Sequence, residues 1–160
     1  MYDFTADPAQ PKPTLYRELL AAADGLTAGE PDAIANMANL WGLVWQLVPD
    51  LNWVGFYRVL GDELVLGPFC GKPACIRIPL GRGVCGTAAA SGETQLVADV
   101  HAFPGHIACD AASRSELVVP VIRDGAVVAV IDLDSPYPAR FEADDRAGLE
   151  ALAALVADRI

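Results

Sequence analysis

Three carboxylates fall in two short apolar segments. Asp132 and Asp134 lie in Val-Val-Ala-Val-Ile-Asp-Leu-Asp-Ser, and Glu116 opens the segment before it. On a strand, positions 128, 130, 132 and 134 point one way, so the two aspartates share a face. Neighbouring carboxylates repel, and one takes up a proton unless something positive lies between them. The dipeptide Asp124-Gly125 reads as a two-residue hairpin turn that pairs Arg123 with Ala126. That register puts Glu116 opposite Leu133, beside both aspartates. No Lys or Arg lies within this strand end, and Arg114 is the nearest in sequence. A ligand ammonium suits such a cluster. Calcium suits it less, because no EF-hand-like loop accompanies the acids. The plainer alternative is a strand that ends at Leu133 with both aspartates in water.

Trp53 and Tyr57 are four apart on a strand-like run, with Gly55 between them. They share a face, and the glycine leaves space there. Core packing is the ordinary use of such residues; a floor for a small cationic or thioether ligand is the functional one. The run Gly81-Arg82-Gly83-Val84-Cys85-Gly86-Thr87 opens a short helix, whose first N–H groups attract an anion. An anion hole together with an acid cluster matches an α-amino acid, which carries both charges.

Four cysteines stand at 70, 75, 85 and 109. Cys85 is in the first turn of that helix, where the dipole lowers a thiol pKa. Cys109 is in a long loop near His101 and His106, a position for a nucleophile or a metal ligand. The His101, His106, Cys109 and Cys70, Cys75 intervals match none of the usual zinc pairs, so no metal is expected. No basic and apolar leader opens the chain, so the expected compartment is the reducing cytoplasm, where a disulfide framework is a poor reading. Eleven Lys and Arg against 21 Asp and Glu give a net charge of −10. That repels nucleic acid and anionic lipid. No apolar run reaches the roughly 18 residues of a membrane span. The expected partner is a small molecule or a protein.

The elements that must hold these residues follow from periodicity. Residues 1–13 carry three prolines and read as a loose arm; residues 14–160 read as one domain. A helix starts at Thr14 with Leu15, Leu19, Ala22 and Leu26 on one face. Thr27 and Glu30 have capping-box spacing ahead of a second helix, whose stripe is Ile34, Met37, Ala38, Trp41, Val44, Trp45 and Val48. Strands follow at 52–60 and 63–69 around Gly61-Asp62, then at 74–79, a helix at 84–90 and a brief strand at 95–98. A loop covers 99–115, strands 117–123 and 126–133 form a hairpin, and a helix spans 141–160. This order is α+β, a mainly antiparallel sheet with the terminal helices on one face.

Several segments carry a family resemblance: Asn52-Trp53-Val54-Gly55-Phe56-Tyr57, Gly71-Lys72-Pro73-Ala74-Cys75, Gly83-Val84-Cys85-Gly86-Thr87, Asp99-Val100-His101 through Cys109-Asp110, Ser115-Glu116 and Asp132-Leu133-Asp134-Ser135. Over about residues 14 to 160 the chain resembles the free methionine-(R)-sulfoxide reductases, which are single GAF-domain enzymes. Generic GAF sensor domains lack cysteines at these intervals. The resemblance implies a GAF-like sheet of about six antiparallel strands, often in a homodimer. It implies reduction of free, not protein-bound, L-methionine-(R)-sulfoxide, a repair of oxidative damage with thioredoxin as reductant and no cofactor. By position, Cys109 matches the catalytic cysteine, Cys75 the resolving one and Cys85 a supporting one. Glu116, Asp132 and Asp134 match acids around the substrate, and Trp53 and Tyr57 match aromatics around its methyl group. Val84 and Cys85 join them as substrate contacts at the helix start. Cys70 departs from the pattern, which has glutamine there; the extra thiol is a spare resolver or a source of an off-pathway disulfide. The chemistry expected is protonation of the sulfoxide oxygen by Glu116 or Asp134, attack by Cys109, and a disulfide with Cys75. The rival expectation is a GAF domain that senses a small molecule without catalysis.

Overall fold

Two tight turns set the sheet. Gly61, at φ 70°, joins β1 (Trp53–Leu60) to β2 (Glu63–Gly71), and Asp124 and Gly125, both at positive φ, join β5 (Ser115–Arg123) to β6 (Ala126–Ser135). Positive φ at these sites matches the twist of the flanking strands. With β3 (Arg77–Pro79) and β4 (Gln95–Val97), the computed structural model gives a six-stranded sheet in the order β3-β2-β1-β6-β5-β4, every pairing antiparallel. It describes residues 9–105 and 111–160.

Strand alternation sorts the apolar side chains onto two faces. Val54, Phe56, Leu117, Val119, Val121, Ala129, Ile131 and Leu133 bury against α1 (Lys12–Thr27), α2 (Ala33–Leu47) and α4 (Ala143–Val156). Trp53, Tyr57, Val118 and Val130 bury on the other face with Val84, Cys85, Ala88 and Ala89 of α3 (Gly83–Ser91). The expected α+β class and the terminal helices on one face are observed.

Several boundaries differ from expectation. Helix α1 begins at Lys12, because Pro11 can precede a helix whose first N–H groups need no intrahelical partner. Asp32, not the Thr27–Glu30 pair, caps α2 by accepting from the Ala35 N–H at 2.9 Å. Thr27 bonds back to the Ala23 carbonyl instead. The buried face of α2 is Met37, Leu40, Leu43, Val44 and Leu47, which leaves Ile34 and Trp45 exposed. Strand β3 keeps only three residues, and α4 starts at Ala143, where Glu142 and Asp145 form a reciprocal capping box.

The β5–β6 register is the correction that matters for the site. Arg123 pairs with Ala126 and Ile122 with Val127, as the turn dictates. Val121 then pairs with Ala129, so Val128 is an extra residue in a bulge. Beyond it Glu116 lies opposite Asp134, not Leu133, and Val118 lies opposite Asp132. Directly paired residues point to the same side of a sheet. Without the bulge, Glu116 would face the helical core with Leu133; with it, all three acids share one face.

Candidate active site

The face under α3 is a small grid. Trp53, Asp134 and Glu116 lie in one row across β1, β6 and β5; Gly55, Asp132 and Val118 form the next; Tyr57, Val130 and Pro120 form the third. Glu116 and Asp132 are each 6% exposed and Asp134 is half-buried; β6 runs on to Ser135, so the alternative with both aspartates in water past Leu133 fails. Helix α3 closes the grid and puts Cys85 over it. The Cys85 thiol donates to Asp132 Oδ2 at 3.2 Å and lies 3.9 Å from Glu116 Oε1.

Burial governs the protonation of this cluster. Desolvation pushes Glu116 well above the usual carboxylate range, and Asp132 and Asp134 beside it push it further. Burial likewise raises Asp132, to about 7, against a small lowering by the Cys85 hydrogen bond. Cys85 contradicts its expected activation: burial first, then the charges of Asp132 and Glu116, raises its pKa well above that of a free thiol. A cluster held this way takes up protons or a cation near neutral pH.

The aromatic floor is present, with one difference. Trp53 stacks on Tyr57 at 6.0 Å and on Phe69 at 5.3 Å between ring centroids. A Cβ at Gly55 would lie 2.4 Å from Phe69 Cβ and 2.7 Å from the Trp53 ring. The space beside Gly55 is therefore filled by those two side chains rather than left open for a ligand. Phe69 escaped sequence reasoning because its contact to Trp53 crosses between strands. The polar ends of the floor hold the loop after β2: the Trp53 indole N–H donates to the Lys72 carbonyl at 3.1 Å, and the Tyr57 hydroxyl to the Cys75 carbonyl at 2.9 Å.

At the start of α3, Arg82 supplies no side-chain cap, Gly83 takes φ 62°, and Val84 is buried against the same cluster. Asn52 donates to Ser113 Oγ at 3.0 Å, and Arg114 N–H to the Ser135 carbonyl at 2.8 Å, which pins the chain entering β5 beside the acids. Both contacts join distant segments, and no motif announced them. His101 is exposed on a single 3-10 turn, Val100–Ala102, while Cys109 and His106 lie outside the described residues.

A GAF domain family model matches residues 40–160. The free methionine-R-sulfoxide reductase of Escherichia coli (strain K12) is 48% identical over 143 residues, which is 89% of this chain and 87% of the relative. The Saccharomyces cerevisiae protein of the same name is 44% identical over 153 residues, 91% of this chain and 85% of the relative. An X-ray structure of free methionine-R-sulfoxide reductase from Neisseria meningitidis, in complex with its substrate, matches with a TM-score of 0.94 at 45% identity, covering 99% of this chain and 95% of that one. The chain belongs to the free methionine-R-sulfoxide reductase family of GAF domains.

Within this family of enzymes the three described cysteines of the present chain divide by face. Cys75 packs with Trp53, Tyr57 and Cys85 on the α3 side, whereas Cys70, opposite Val54, packs against the helical core. The sheet thus separates the Cys70 side chain from the acid cluster. No described helix is long and apolar enough to cross a membrane.

Proposed function

We propose that this enzyme reduces free L-methionine-(R)-sulfoxide to methionine in the cytoplasm, with Cys109 as nucleophile and Cys75 as resolving thiol. The observation that carries the reading is the buried Glu116–Asp132 pair, held with the Cys85 thiol beside a Trp–Tyr floor. A sulfoxide sulfur is a poor electrophile until its oxygen accepts a proton. Glu116, whose pKa is raised by burial and by two carboxylates, is the acid best suited to give it. The Cys109 thiolate adds to the sulfur, forming an S–S bond while the protonated oxygen departs as hydroxide with the S–O electron pair; that hydroxide then adds to the Cys109 sulfur, and the S–S pair leaves on methionine, so Cys109 ends as sulfenic acid. Cys75 then attacks that sulfur, expelling water and forming a disulfide. A dithiol such as thioredoxin exchanges with the disulfide and restores both thiols.

In this reading Asp132 and Asp134 receive the substrate ammonium, Val84 and the N–H groups at the α3 start receive its carboxylate, and Trp53 and Tyr57 enclose the methyl end. Cys85, buried and protonated, supports the acids rather than attacking. Cys70 is no spare resolver, because its side chain belongs to the other face.

The test is a pair of variants assayed with two reductants. Cys109→Ser should lose all turnover with thioredoxin and with dithiothreitol. Cys75→Ser should lose the thioredoxin-driven rate but keep turnover with dithiothreitol, which attacks the sulfenic acid directly. Thiol counts by mass should fall by two after one equivalent of sulfoxide. Residual thioredoxin-driven turnover in Cys75→Ser would overturn the assignment of the resolver. An unchanged thiol count would favour a sensor.

A further inference from the structure

We propose that Cys85, Glu116 and Asp132 form a binding site for a single thiophilic divalent cation of the zinc class. The three come from three different elements, the first turn of α3, β5 and β6, and one ligand atom from each lies within 4.8 Å of the others. Cys85 Sγ is 3.2 Å from Asp132 Oδ2 and 3.9 Å from Glu116 Oε1. In a tetrahedral site with metal–sulfur bonds of about 2.3 Å and metal–oxygen bonds of about 2.0–2.2 Å, sulfur and oxygen ligands are roughly 3.5 Å apart. The two observed separations straddle that value, so the ligands need only small shifts on rigid supports.

An independent observation also points to a ligand. Asp132 is 94% buried, and its second oxygen, Oδ1, has no hydrogen-bond partner among the described residues. A buried acceptor without a donor is costly, and a cation bound to the carboxylate removes that cost. Trp53, Tyr57, Val118 and Val130 wall the cluster and keep water away. The net charge of −10 draws cations toward the protein.

The donor set selects the metal. Calcium takes six to eight oxygens and magnesium an octahedron of oxygens. One sulfur with two carboxylates offers neither, while a thiolate favours zinc-class ions. On binding, the Cys85 S–H bond gives up its proton to solvent and sulfur donates its electron pair to the metal; nothing is oxidised or reduced. The cation then takes Asp132, which the proposed function gives to the substrate ammonium. Competition with substrate rests on that reading; metal binding does not.

Cobalt(II) is the probe. Titrated into the reduced full-length chain, it should bind in a single equivalent with a thiolate-to-cobalt charge-transfer band in the near ultraviolet. Zinc should displace it. Cys85→Ser should abolish the band, and Asp132→Asn should weaken binding by about tenfold or more. A triple variant with Cys70, Cys75 and Cys109 all changed to serine should keep the band, which guards against misfolding of Cys85→Ser. A band that survives Cys85→Ser, or its absence from the triple variant, would overturn the site. Free methionine should raise the cobalt concentration at half-saturation. If cobalt binds and methionine does not compete, the metal site stands and the ammonium reading fails. If cobalt does not bind and methionine does, the metal site fails and the substrate reading is untouched.

Discussion

Two buried aspartates lie on opposite sides of the same sheet and live in opposite electrostatic conditions. Asp145, 1% exposed on the helical side, accepts from Lys12 Nζ at 2.6 Å, Tyr16 Oη at 2.8 Å, the Glu142 N–H at 2.8 Å and Arg140 Nη1 at 3.3 Å. Burial alone would raise its pKa, but those donors and charges together hold it below the ordinary carboxylate value. Asp132, 6% exposed under α3, accepts from the Cys85 thiol and has two acids for neighbours, and burial raises its pKa to about 7. The sheet builds both environments from the same residue type. An acid the fold uses for itself is fully satisfied. An acid left with an open oxygen in a dry pocket is satisfied only by what binds there.

The largest expected effect of that difference is on substrate choice. N-acetyl-methionine-(R)-sulfoxide lacks the ammonium, so Asp132, buried beside Asp134, must stay charged without it or take up a proton. A buried charge left unpaired costs about 3–5 kcal/mol. That corresponds to a loss on the order of 10²–10³ in kcat/KM at about 1.4 kcal/mol per factor of ten. Side-by-side kinetics on the free and acetylated R-sulfoxides decide it. Comparable kcat/KM values would mean the acid cluster does not read the ammonium, and the contrast with Asp145 would lose its functional meaning.

The next effect separates the aspartates by pH. A carboxylate whose folded pKa is raised binds more protons folded than unfolded, so it costs stability as pH rises from about 4 toward 7. Asp132→Asn should therefore match the parent most closely at pH 4 and below and pull ahead of it as pH rises toward 8, with each unit of raised pKa worth about 1.4 kcal/mol. Asp145 has the opposite sign. Its lowered pKa contributes stability that is present above the unfolded value near 4 and lost as pH falls through the folded value. Asp145→Asn should be destabilised by about 3 kcal/mol at both pH 5 and pH 8, because it breaks a buried pair. The gap should narrow only below pH 4. Urea melts of the ligand-free proteins read all of this. Equal pH profiles for the two variants would show that Asp132 is as well compensated as Asp145.

The two faces also differ in how well they could be read from sequence. The helical face was legible in outline because its information is periodic: Leu15 and Leu19 in α1, Leu149, Leu152 and Val156 in α4, and alternate residues of β1, β5 and β6 all bury as their spacing demands. Where the reading slipped, as with Ile34 and Trp45 on α2, a partner helix chose among several apolar stripes. The acid face was legible in part: a period of two put Asp132 and Asp134 on one face, and the hairpin brought Glu116 beside them. Its geometry depends on the bulge at Val128, which a two-residue turn does not reveal and which moves Glu116 from one side of the sheet to the other. The raised thiol pKa of Cys85 comes first from burial under α3, which the helix start alone does not announce, and then from Asp132 and Glu116 beneath it. The predicted nucleophile, Cys109, was found by its loop and its family match alone.

Gly55 offers the smallest and sharpest test of the aromatic side. Sequence spacing suggested that this glycine leaves room for a ligand, whereas the structure fills that room with Trp53 and Phe69. A methyl group there would overlap Phe69 Cβ and the Trp53 ring at 2.4 and 2.7 Å, distances that real contacts do not tolerate. Phe69 Cβ is fixed by its backbone in β2, so the indole must rotate away or β1 and β2 must part. Overpacking of this kind costs about 1–3 kcal/mol. Rotation of the indole breaks the hydrogen bond from Trp53 to the Lys72 carbonyl, and with it one of the two ties on the loop that carries Cys75. Gly55→Ala should therefore lower stability modestly, raise KM through the displaced floor, and change the indole fluorescence. The acid face opposite Gly55 has its own partner in Asp132, so the pH-dependent gap between Gly55→Ala and Gly55→Ala/Asp132→Asn should match the gap between the parent and Asp132→Asn. A gap that vanishes in the glycine variant would mean that the floor and the acids are one coupled unit rather than two.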